Sequence, residues 1–120
     1  MSAFKDHFFQ TQDGLRLYAR DYPGPDDNAP VVLCLHGLTR NSRDFQELTP
    51  ALADHFRVLV PEQRGRGRSD YDDDLSRYAL LQYVEDMRGL LSDLGIKQVA
   101  IVGTSMGGLM TFALNALYPG

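Results

Sequence analysis

Three short runs constrain this chain more than anything else in it: "VVLCLHG" from residue 31, "FRVLVP" from residue 56 and "QVAIV" from residue 98. Each is apolar at consecutive positions, without the alternation of a strand that has one wet face, and buried strands of a parallel sheet read this way. Helical patterns lie between them. From about Arg77 the apolar positions Leu80, Tyr83, Val84, Met87, Leu90, Leu91 and Leu94 recur at helical spacing, and Gly95 offers a left-handed stop. An earlier helical stretch runs from about Ser42 as N-cap, with Thr49-Pro50 marking a restart or kink before Asp54. Residues 106–118 read as a helix apolar on nearly every face, which implies burial on more than one side. Strand and helix in alternation predict a parallel sheet with right-handed crossovers. If "VVLCL" lies between its two successors, the chain turns to opposite sides of it. Ligands of open α/β sheets bind at such a switch point, beyond the carboxyl ends of the strands.

The first thirty residues differ in kind. Two alternating segments, 4–9 and 15–22, flank "TQDG", where Asp-Gly suits a tight turn because glycine accepts a positive φ, so an antiparallel hairpin is expected. "PGPDDNAP" is then a loop, as is "EQRGRGRSDYDDD" after the second apolar run. At 120 residues and 43% hydrophobic composition, the chain can bury one core of modest size. A net charge of -4 gives no reason to expect a nucleic acid or an anionic membrane as partner. Cys34, the single cysteine, sits in an apolar run as a small hydrophobe with no disulfide partner, which fits a reducing cytosol. There is no start resembling a secretory signal and no apolar run near the roughly 20 residues that span a bilayer. A soluble, cytoplasmic protein is the expectation.

The chemistry gathers in "IVGTSMGGLM", residues 101–110, which places a lone serine between glycines where an apolar strand gives way to an apolar helix. Such a serine could cap the helix, cradle a phosphate or attack a carbonyl. A cap does not require glycines on both sides at this spacing, and no G-K-[ST] appears to support a phosphate cradle. A dinucleotide site would need G-x-G-x-x-G and a later acid, and "GTSMGG" has the wrong spacing. Gly103-Thr104-Ser105-Met106-Gly107 does match G-x-S-x-G in its strand-turn-helix context. There the serine occupies a strained turn with its hydroxyl raised above the sheet, and side chains two residues to either side would collide with neighbouring backbone. Gly108 extends the slim surface, and the helix start can stabilise an oxyanion beside the serine.

Hairpin, His36-Gly37 after the third strand, "RGRGRSD" after the fourth and the serine turn after the fifth together resemble the α/β-hydrolase superfamily along essentially the whole chain. The resemblance implies the N-terminal half of that fold: a mostly parallel sheet with an N-terminal antiparallel hairpin and helices on both faces. It implies Ser105 as nucleophile, the backbone N–H groups of Leu38 and Met106 as oxyanion hole, and His36, Gly37, Gly103 and Gly107 in support. A serine favours the esterase, lipase, peptidase, acyltransferase and carbon-carbon hydrolase branches over haloalkane dehalogenases and epoxide hydrolases, which use aspartate there. Glu62 stands where related sequences often have aspartate, and Arg64 reads as a structural hydrogen-bonding residue.

No cofactor and no metal are expected. His36 reads as support for the oxyanion loop rather than as a base, His7 and His55 as structural or exposed, and Asp72 to Asp74 as solvated surface. In this superfamily the triad runs serine, acid, histidine, yet residues 106–120 contain no Asp, Glu or His. The expectation is therefore residues 1–120 as a single incomplete core lacking later strands, triad acid, triad histidine and any cap. Such a piece would be a serine hydrolase fragment for small acyl substrates, inactive alone and prone to self-associate. The alternative is a non-catalytic relative that kept the pocket for ligand binding.

Overall fold

The structure, a computed structural model, describes residues 4–36, 48–72 and 80–103. Within these, strands β1 (Lys5–Gln10), β2 (Arg16–Tyr22), β3 (Val31–Leu35), β4 (Arg57–Glu62) and β5 (Ala100–Gly103) form one sheet in the order β1-β2-β4-β3-β5. The pairs β3/β4 and β3/β5 are parallel, whereas β1/β2 and β2/β4 are antiparallel. β3 thus lies between its two successors, as the switch-point reading requires.

The hairpin closes at Thr11 to Leu15, where Thr11 N–H donates to the Leu15 carbonyl at 2.9 Å and Gly14 takes φ 92°. A side chain there would be strained, which is why Asp13-Gly14 marks the turn. Its register sets Phe8 opposite Tyr18 and Phe9 opposite Leu17, so one face of β1 and β2 goes to the core and the other does not.

Both faces of β3 and β4 are covered, which accounts for their unbroken apolar runs, whereas β5 is half-buried to exposed among the described residues. Helix α1 (Thr49–Ala53) and helix α2 (Leu80–Asp93) divide the two faces between them. Leu33, Leu35 and Leu59 pack with Phe9, Leu17 and the α2 residues Tyr83, Val84, Met87 and Leu90. The other face sets Val32, Cys34, Val58 and Val60 against Ala53 of α1 and Tyr22. Each fully buried Leu or Met contributes roughly 1.5–3 kcal/mol by leaving water. Helix α2 stops as its sequence implied: Gly95 has φ 68°, and Ile96 N–H returns to the Leu91 carbonyl at 2.8 Å.

One sequence expectation needs adjustment, and several others fall partly outside the described residues. β5 begins at Ala100 rather than Gln98, because only Val32 to Leu35 of β3 pair with it. The described part of the first helix is α1 alone, starting at Thr49-Pro50; the stretch from Ser42 to its start, the onset of α2 near Arg77 and the helix over 106–118 lie outside the described residues. No described helix is long and apolar enough to cross a membrane.

Candidate active site

The carboxyl ends of β3, β4 and β5 meet at one edge of the sheet. Leu35 pairs with Gly103, so β3 and β5 end level with each other, and the chain leaves them through His36 on one side and Gly103 on the other. Of the residues expected at the site, His36 and Gly103 are described; Gly37, Leu38, Ser105, Met106 and Gly107 lie outside the described residues.

His36 is fully buried, and its Nε2 accepts the Gln63 backbone N–H at 3.0 Å. A backbone N–H can only donate, so Nε2 carries no proton and the neutral ring is protonated at Nδ1. That bond fastens the end of β3 to the first residue after β4. The ring is a brace between two loops, and the lone pair that a base would use is already engaged. Gln63 is buried as well; its Nε2 reaches Met87 Sδ of α2 at 3.4 Å, while its Oε1 has no hydrogen-bond partner among the described residues.

The loop that follows is held by Arg64. Its guanidinium is completely buried, with Nε and Nη2 donating to the two Asp86 oxygens at 2.8 and 2.6 Å and Nη1 to Asp72 at 2.7 Å. Nη1 and Nη2 also reach Asp13 at 2.9 and 3.3 Å. One cation therefore joins the hairpin turn, the loop after β4 and helix α2. The fork matches Asp86 bidentately, as lysine could not. The Arg64 bonds hold the Asp13 carboxyl down at about 2. Burial pushes Asp86 upward despite the same guanidinium, and the nearby Asp13 charge adds to that rise. The expectation for Arg64 as a structural residue fits. The expectation for Asp72 does not: it is 5% exposed and ion-paired, because Arg64 draws it inward.

Asp86 and Gln63 were not singled out in the sequence, although α2 held a clue. Position 86 falls three after Tyr83 and four before Leu90, on the stripe that faces the core, so a carboxylate there needs a buried cation. Glu62 is buried too. Its carboxylate accepts the Arg68 N–H at 2.9 Å, its carbonyl accepts Ser69 Oγ–H at 2.6 Å, and Ser69 Oγ accepts the Tyr18 N–H. Gly65 and Gly67, at φ 77° and 56°, make the turns this wrapping requires.

A concavity of about 620 Å³ opens at the other end of the sheet, between the segments 23–27 and 94–98. Asp21 and Arg57 in its wall are paired with each other at 2.8 and 3.0 Å, so their charges are spent.

A sequence-family model described as the alpha/beta hydrolase fold matches residues 30–120. The chain belongs to that family. Among curated relatives, this alpha/beta hydrolase chain is 42% identical over 104 residues to a 3-hydroxybutyrate-oligomer hydrolase of Cupriavidus necator, covering 87% of the chain and 36% of that protein. An alpha/beta hydrolase from Novosphingobium aromaticivorans superposes with a TM-score of 0.93 at 49% identity, over 99% of this chain and 41% of the other. Epoxide hydrolase A from Mycobacterium thermoresistibile gives 0.88 at 28% identity, over 98% and 36%. The chain thus spans little more than a third of the length of the hydroxybutyrate-oligomer hydrolase.

Proposed function

We propose that this chain carries the nucleophile half of a serine hydrolase acting on small carbonyl compounds, esters foremost, with Ser105 as the attacking group. The observation that carries the reading is the position of Gly103: the G-x-S-x-G run starts on the last residue of β5, level with the end of β3, at the switch point of the sheet. The 3-hydroxybutyrate-oligomer hydrolase, named for hydrolysis, supports it. The epoxide hydrolase likeness does not redirect it, since this sequence has a serine where the family resemblance implies an aspartate for that chemistry.

In this reading Ser105 Oγ attacks the carbonyl carbon, and the N–H groups of Leu38 and Met106 stabilise the oxyanion. The alcohol leaves with a proton, and water then releases the acid and restores the serine. The base is not His36, whose Nε2 is engaged by Gln63. With no Asp, Glu or His after Ser105, the 120-residue chain turns over activated esters slowly if at all; losing triad members in serine proteases costs on the order of 10⁴ to 10⁶ in turnover. Mass spectrometry after fluorophosphonate labelling of the complete protein tests the assignment. The label falls on the peptide containing Ser105 and vanishes in Ser105→Ala; a label that persists removes Ser105 as nucleophile.

A further inference from the structure

We propose that the open edge of β1 is a docking site for an extended acidic peptide, which adds to the sheet as a sixth strand. β1 ends the sheet and pairs with β2 alone, so one side of its backbone is left without a strand partner among the described residues. Such an edge accepts another extended chain. The face not used by the core shows what kind.

Arg16 and Arg20 start on β2 but reach diagonally across β1. The Arg16 guanidinium lies 3.8 Å over the Phe8 ring and that of Arg20 lies 4.4 Å over Phe4. Arg68 stands over Tyr18 at 4.8 Å and pairs with Asp6 at 3.2 Å. The ring contacts hold each guanidinium in place, and Arg20 Nη1 also donates to Tyr22 Oη at 3.3 Å, a neutral partner that leaves the positive charge unbalanced. Neither Arg16 nor Arg20 has a carboxylate at ion-pair distance among the described residues, although Asp70, whose carboxylate accepts the Arg16 backbone N–H at 2.9 Å, places a second negative charge near the row. Three guanidinium groups thus stand near two carboxylates, Asp6 and Asp70, an excess of positive charge on this face of a chain whose net charge is -4.

The spacing selects the occupant. Arg16 and Arg20 are four residues apart on one strand, about 13 Å, and same-face side chains of an added strand recur about every 6.7 Å. Acids at alternate positions of that strand would meet the row. A nucleic acid fits less well: the rings that could stack bases already carry guanidinium groups, and the chain's negative charge opposes a long polyanion.

The test is fluorescence anisotropy with a labelled peptide Glu-Val-Glu-Thr-Glu-Val, alongside its Gln-for-Glu counterpart and a short oligo-dT. Hydrogen exchange over Lys5–Gln10 is followed in parallel. The acidic peptide binds and slows exchange in β1. It loses affinity about tenfold or more in the Arg16→Gln/Arg20→Gln variant, and weakens in about 0.5 M salt, where exposed charges are screened. If the double variant does not fold, salt sensitivity and β1 protection in the parent chain decide. Equal binding of the Gln peptide, tighter binding of oligo-dT, or binding without protection of β1 would each overturn the proposal.

Discussion

Removing the Arg64 guanidinium should do more than weaken the fold; it should change how stability depends on pH. Arg64→Met keeps volume in the core but leaves Asp72 and Asp86, whose side chains are 2% and 1% exposed, without their cation. Breaking a buried ion pair from one side costs about 3–5 kcal/mol, a large share of the roughly 5–15 kcal/mol that holds a domain. With a urea slope near 1.5 kcal/mol/M, the midpoint falls by roughly 2–3 M. In the parent chain Asp13 titrates at about 2 against 3.8 for an ordinary carboxyl. Its stabilisation, reduced by solvent screening because Asp13 is exposed, is present above pH 4 and lost as pH falls towards 2. Asp86 runs the other way: its raised value means its contribution is present below the ordinary carboxyl range and lost as pH rises through the folded value. In Arg64→Met the buried Asp86 follows that second pattern more strongly, because burial penalises its charge with no guanidinium to offset it. Urea unfolding followed by circular dichroism at pH 4 and pH 7 should therefore show a gap between parent and variant that is wider at pH 7. A gap below about 1 kcal/mol, or one equal at the two pH values, would refute the electrostatic account.

Burial pushes the Cys34 thiol up to about 11, so the folded chain should resist a disulfide-exchange reagent at pH 8 and react promptly once unfolded; fast reaction of the native chain would show that β3 is less covered than described. On the opposite edge of the sheet, β5 has β3 as its sole strand neighbour among the described residues and Val102 is 37% exposed. Val102→Lys should shift the isolated chain towards monomer in light scattering, and self-association left unchanged would place the contact elsewhere.

Elements whose signal is local were legible in the sequence. Asp13-Gly14 announced the hairpin, Gly95 the end of α2, and two-faced apolar runs the parallel strands, because each depends on neighbours a few residues away. The position of β3 between β4 and β5 entered the sequence reading as a supposition, because strand order depends on long-range pairing that no local pattern fixes. The buried charge cluster was only half legible: Arg64 was read as structural, but its partners at 13, 72 and 86 are separated by up to 51 residues from it, and "DYDDD" looks like any solvated acidic loop until that guanidinium is placed. The G-x-S-x-G run is visible as a motif in the sequence, while Ser105, Met106 and Gly107 lie outside the described residues. The brace from His36 to Gln63 depends on β3 and β4 ending side by side, which no spacing in the sequence reveals.

The strand order has a consequence for a chain made from its N-terminus. The hairpin is ready early, but the neighbour that β2 needs is β4 rather than β3, so β3 must emerge and wait. Even after β4 arrives, β3 keeps one apolar side open until β5, and synthesis at about 5–20 residues per second takes on the order of 2–8 s to cover the stretch from Glu62 to Ala100. During that interval a strand whose five residues are all apolar is a half-filled slot near the ribosome, and a holding chaperone has more to grip there than in the finished sheet.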